Sequence, residues 1–157
     1  DKDAYTIESL EQSSSGNVQE KLPEPILSLI AEADIERGKK VSKACAACHS
    51  FNKDGANGVG PNIWDLVGRQ KQSVTGYAYS GVLNETGGNA WTYVELNKFL
   101  WKPKKYAPGT KMNYIGLKKP EDRAALIAWL RTMADGQVAL PSKSQIASEE
   151  QELLPQE

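Results

Sequence analysis

Apolar residues recur at helical spacing in separate stretches of this chain, and strand-like alternation appears nowhere. Ile26, Leu29, Ile30 and Ala33 form the first stretch. Ile35, Gly38 and Val41 continue it after a break, so helical character is expected from about Pro25 to Ala47. Phe51–Gly60 is rich in Asn and Gly and predicts a loop; Ile63–Val67 predicts one helical turn. Residues 68–90 hold five glycines and little periodicity, which predicts a long loop with at most one short helix. Thr92-Tyr93-Val94-Glu95 is a capping-box pattern that opens a helix running to about Trp101, because Pro103 disfavours helix at the residue before it. Pro103–Lys111 predicts a turn-rich loop. A last helix begins at Pro120, with Glu121 and Asp122 in its first turn, Arg131 in its last and Gly136 beyond. The pattern predicts an all-α segment of a few short helices and long loops. Loops of that length in roughly 100 residues need something further to pack against, which points to a bound cofactor.

Three segments follow from composition. Residues 1–32 are expected to be an acidic N-terminal spacer or linker, 33–136 the folded domain, and 137–157 an acidic C-terminal extension, extended or disordered. The chain has 157 residues, of which 39% are hydrophobic and 25% charged, enough for one modest core. No window approaches the ~18 apolar residues of a membrane span, so the chain reads as soluble, with any export signal or anchor removed or not included. The net charge of −1 hides an asymmetry: −7 over residues 1–36, +9 over 37–135 and −3 over 136–157. The basic middle suits an acidic partner surface, nucleic acid or anionic lipid, and charge alone does not choose among them.

Chemistry is concentrated in Cys45-Ala46-Ala47-Cys48-His49, which holds all the cysteine and histidine of the protein. Two thiols three positions apart reach two neighbouring vinyl groups of one haem as thioethers, and the next residue's imidazole lies under the iron. A zinc site would need further Cys or His ligands, and none exists. A thioredoxin-like pair would follow a strand, whereas the preceding pattern is helical. A buried structural pair is the remaining alternative. A second axial histidine is excluded, since there is no other imidazole. That leaves Met112 and Met133 as the strong sixth-ligand candidates. Met133 falls in the last helix, where a core-filling role suits it; Met112 sits in a loop able to bring a thioether over the open face. A solvent-exposed Met112 would instead leave the iron five-coordinate.

Cys45–His49, Gly60-Pro61-Asn62, Gly68-Arg69, Trp91 and Asn97 through Met112 together resemble a class I, mitochondrial-type cytochrome c over about Glu32–Asp135. The subgroup it looks most like is the bacterial, membrane-tethered variety. The resemblance implies an all-α cytochrome c fold wrapped around one haem c, covalent through Cys45 and Cys48. It implies His49 and Met112 as axial ligands, with the Pro61 carbonyl accepting from the imidazole. Arg69, Tyr79 and Trp91 would address the haem propionates, Thr110 a propionate or the ligand Met, and Gly38 would meet Trp129 where the first and last helices cross. Three positions depart from the family pattern: Ser42 replaces an aromatic, Phe99 a tyrosine, and Leu83 a polar asparagine.

The resemblance implies a monomeric, non-enzymatic electron carrier between a quinol:cytochrome c oxidoreductase and a terminal cytochrome oxidase. Lys43, Lys53, Lys104, Lys105 and Lys111 would dock acidic redox partners, with no nucleic acid involved. The rivals are an open-site haem peroxidase or gas-binding protein, and an electron-transfer module of a larger respiratory assembly. Covalent haem attachment implies the periplasm, with a possible N-terminal tether to the outer face of the cytoplasmic membrane; the mitochondrial intermembrane space is the second option. Asn84-Glu85-Thr86 fits a glycosylation sequon, which carries no weight in a bacterial protein.

Overall fold

The structure, a computed structural model, describes residues 21–85 and 87–155. Among them the regular elements are helical: α1 (Leu27–Ile30), α2 (Ile35–Val41), α3 (Tyr93–Trp101), α4 (Pro103–Tyr106), α5 (Pro120–Thr132) and α6 (Lys143–Leu153). Short 3₁₀ turns cover Ser42–Ala44 and Val82–Glu85. One isolated antiparallel bridge, Gln70 to Ala90, closes the long loop. No described helix is long and apolar enough to cross a membrane.

Asp34 supplies the break between α1 and α2: its side chain caps α2 by accepting from Glu36 N–H and Arg37 N–H. α2 then crosses α5 at very close range. A Cβ on Gly38 would stand 2.0 Å from the Ala125 carbonyl oxygen and 2.8 Å from Trp129 Cβ. Only glycine permits that approach, so the expected Gly38–Trp129 contact is present. Ser42, 5% exposed, donates to Lys39 O instead of packing a ring. The edge-on partner of Trp129 is Phe51 from the following loop, with ring centroids 5.0 Å apart.

α3 ends at Trp101 as expected, but its start differs from a full capping box. Thr92 Oγ1 accepts from Glu95 N–H, while the Glu95 carboxylate turns away to Tyr106 and Lys71. Charge pairing in the interior outcompetes the return bond to the cap. Pro103 does not simply end a helix; it opens α4 at a position where its missing N–H costs nothing. Ile63–Val67 forms turns rather than a helical turn.

Both expected extensions need correction. Residues 1–20 lie outside the described residues, but within 21–32 the chain is part of the core: Ile26, Leu27 and Ile30 are at most 2% exposed. Each such burial contributes about 1.5–3 kcal/mol, far more than a spacer would gain. The 137–157 segment is not simply extended. Ser142 and Gln145 form a true capping box that opens α6, and Leu153 and Glu149 are buried. Leu153 and the half-buried Ile146 are the apolar residues that pack this helix on the core, a pattern too sparse to announce it.

Candidate functional site

One cavity of about 260 Å³ gathers nearly everything singled out above. It is lined by Cys45, Cys48, His49, Pro61, Arg69, Tyr79, Trp91, Thr110 and Met112, and among the docking lysines by Lys111. Met133 is absent from its wall; it terminates α5, and its carbonyl accepts from Asp65 N–H.

Local backbone positions the histidine. After the 3₁₀ turn Ser42–Ala44 the backbone runs on in hydrogen-bonded turns through Cys48, and His49 N–H donates to Cys45 O at 3.0 Å. His49 Nδ1 lies 2.7 Å from Pro61 O. A carbonyl can only accept, so Nδ1 carries the proton and Nε2 keeps its lone pair, the form a metal requires. Burial holds the imidazole pKa below its ordinary value, and the Arg69 charge adds to this against the opposing Pro61 bond. Gly60 makes the ring's position possible: a Cβ there would stand 2.3 Å from His49 Cε1.

The wall is mostly apolar, with Leu66, Leu83, Leu96, Phe99 and Leu126 among its members. Against that background its polar atoms stand out. Arg69 donates to Asn62 O and Trp64 O through Nη1, yet its buried Nε has no partner. Gln72 Oε1 is likewise buried and unpartnered. A guanidinium N–H left without an acceptor fits a ligand carrying a carboxylate. Tyr79 accepts from Val74 N–H, which leaves its own hydroxyl proton to give. Thr110 Oγ1 accepts from Met112 N–H at 3.2 Å and so shapes the loop at the thioether. Paired thiols, an imidazole with a free nitrogen, a thioether, an apolar cleft and an unsatisfied cation together fit a haem with propionates.

Residues 35–134 match the family described as cytochrome c. The chain belongs to the cytochrome c family. It is an electron carrier rather than an enzyme, and the Cys45–Cys48 spacing is that of covalent haem c attachment. This cytochrome c is 44% identical over 128 residues to a cytochrome c homolog of Rickettsia bellii, covering 82% of this chain and 73% of that one. It is 46% identical over 103 residues to cytochrome c of Euglena viridis, covering 65% of this chain and 99% of the other. Among solved structures it is similar to cytochrome cH from Methylobacterium extorquens, with a TM-score of 0.58, 39% identity, and coverage of 64% of this chain and 99% of that one.

The lysines of this cytochrome c are not equivalent. Lys43 is exposed on the 3₁₀ turn beside the cysteines, and Lys104 is exposed on α4. Lys53 pairs with Asp135 at 3.0 Å. Lys105 donates to Lys21 O and lies over the Trp101 ring, and Lys111 donates to Ala78 O at 2.6 Å. Sequence reasoning missed Gln72 as a wall residue, and missed the buried group Lys71, Glu95 and Tyr106 behind Trp91. Nothing in the local pattern marks a buried lysine; its carboxylate partner lies 24 positions away.

Proposed function

We propose that this cytochrome c carries single electrons from a quinol:cytochrome c oxidoreductase to a terminal oxidase in the periplasm, beside the outer face of the cytoplasmic membrane. His49 and Met112 would hold the haem iron, and Cys45 and Cys48 would carry the thioether bonds. The observation that carries this reading is the presence of His49 and Met112 in one cavity wall, with the His49 Nδ1–Pro61 bond fixing the ring. The bound haem supplies exchange of one electron between ferric and ferrous iron. The protein does the rest. Pro61 orients the imidazole and raises its basicity. Thr110 shapes the loop that presents the thioether. Arg69, Tyr79 and Trp91 hold the propionates, with the Arg69 Nε as the donor that has no other use. The leucines and Phe99 exclude water. With His49 and Met112 both given to the iron, no site would be left open for a peroxide or gas.

The haem domain in this reading is 33–136, with Ile26, Leu27 and Ile30 of the preceding segment packed into its core and α6 of the acidic 137–157 segment docked on it. Similarity to bacterial relatives supports the periplasmic placement. Lys43, Lys53, Lys104, Lys105 and Lys111 supply the basic face for acidic partners, through an encounter that salt weakens. The test is oxidase turnover with the purified protein as electron donor across a series of salt concentrations. Turnover should fall as ionic strength rises; a flat response contradicts lysine-guided docking.

A further inference from the structure

Behind Trp91 lies a buried ionic cluster that takes no part in holding the ligands. Lys71 has a side chain only 2% exposed. Its Nζ donates to the Tyr106 hydroxyl at 2.5 Å and lies 3.5 Å from Glu95 Oε1. Tyr106 donates to the same Glu95 oxygen. The other Glu95 oxygen lies 3.6 Å from Lys98 Nζ, and Lys98 pairs with Glu152 on α6. Alternating charges therefore run from α6 to the back of the cavity wall.

The inner end of that run touches the wall itself. Lys71 Nζ is 4.9 Å from the Trp91 ring centroid and 5.1 Å from that of Tyr106. Trp91 stacks on Tyr106 at 6.0 Å and tilts against Phe99 at 5.0 Å. Trp91 and Phe99 line the cavity, while Lys71, Glu95 and Tyr106 stand one ring behind. Burial pulls the Lys71 pKa down and the Glu95 carboxylate opposes it. Burial also pushes the Tyr106 phenol up, and Glu95 adds to this, so the phenol keeps its proton.

Such a cluster is a poor way to gain stability. Two charges taken from water lose more hydration than their attraction returns unless every partner is in place, and apolar residues of equal volume often do as well. Its value lies in what a fixed charge does to a redox centre across a thin apolar wall. We propose that Lys71 and Glu95 set the reduction potential of the haem electrostatically through the Trp91 wall, Lys71 raising it and Glu95 lowering it. The inference rests on the haem occupying the cavity that Trp91 lines. A cation held there disfavours the oxidised iron, which carries one more positive charge than the reduced iron. A carboxylate there favours it. Aromatic rings between the charges and the iron screen far less than water.

The test is the midpoint potential of the purified holoprotein, titrated against absorption, for wild type, Lys71→Met, Glu95→Gln and the double variant. Lys71→Met should lower the potential and Glu95→Gln should raise it. At a fixed applied potential each change alters the oxidised-to-reduced ratio severalfold, and a tenfold change corresponds to about 59 mV. The double variant should return close to wild type. A purely structural role lowers the melting temperature of both variants without potentials of opposite sign, and that result overturns the proposal. Should Lys71→Met not fold, Glu95→Gln carries the test alone, and no rise overturns it. Purified protein with the mass of the bare polypeptide overturns the haem reading instead, and the mass distinguishes the two failures.

Discussion

Glu149 accepts a hydrogen bond from the Ile26 amide at 2.9 Å, across 123 positions of sequence. The same oxygen accepts from Leu27 N–H, and the other accepts from Asn97 Nδ2. Asn97 and Arg123 are fully buried. Asn97 Oδ1 accepts from Arg123 Nε at 2.7 Å, and Arg123 Nη2 reaches Glu24. One carboxylate thus ties both ends of the described chain to α3 and α5. Removing it leaves the Ile26 and Leu27 amides without their acceptor and takes from Asn97 Nδ2 one of its two acceptors, the Glu24 carbonyl remaining. Glu149→Ala should lower unfolding free energy by about 1–3 kcal/mol, with Glu149→Gln losing less. Denaturant titration of the holoprotein measures this, and unchanged stability would contradict a structural role for α6.

The Glu24–Arg123 pair gives stability a pH signature. Burial pushes the Glu24 carboxyl up, but the hydrogen bond and charge of Arg123 outweigh it and hold the folded pKa below its ordinary value. A carboxyl with a depressed folded pKa stabilises above its unfolded pKa of about 4.3, and that contribution is lost as pH falls through the folded value. The Glu24 side chain is 54% exposed, so solvent screening keeps the effect below about 1 kcal/mol. Glu24→Gln should lower the melting temperature slightly at neutral pH and leave it nearly unchanged below the folded pKa, which flattens the acid limb of the profile.

Gly38→Ala should be among the most damaging small changes. The new Cβ meets a backbone carbonyl at 2.0 Å, not the flexible end of a side chain, so α2 and α5 must separate. A loss of at least about 1–3 kcal/mol is expected from such overpacking. The midpoint of thermal unfolding reads it.

Lysine substitutions should separate by their partners. Lys43 is exposed beside the haem-attachment turn, whereas the Lys53 charge is offset by Asp135. Lys43→Ala should therefore slow oxidase reduction at low salt more than Lys53→Ala does. Stopped-flow rates at several salt concentrations decide this; equal losses would contradict it.

Much of the site was legible because its chemistry is local. Five consecutive residues hold both cysteines and the histidine of the chain, and the Pro108-Gly109 turn leads to Met112. The wall residues Arg69, Tyr79, Trp91 and Thr110 came through resemblance, not spacing. What stayed hidden depends on distant pairing. Glu149 reads as one member of an acidic run until Ile26 and Asn97 are seen to surround it. Glu95 reads as a cap residue until Lys71 and Tyr106 compete for it. α6 was hidden because polar residues fill most of it, and its real start signal, Ser142 with Gln145, precedes no apolar run.

The assignment of Met112 as sixth ligand is tested most directly by the far-red charge-transfer absorption of sulfur-bound ferric haem in wild type, Met112→Ala and Met133→Leu proteins. The band should be present in wild type, lost in Met112→Ala and retained in Met133→Leu. A wild-type protein without the band, or a Met112→Ala protein that keeps it, would contradict the account.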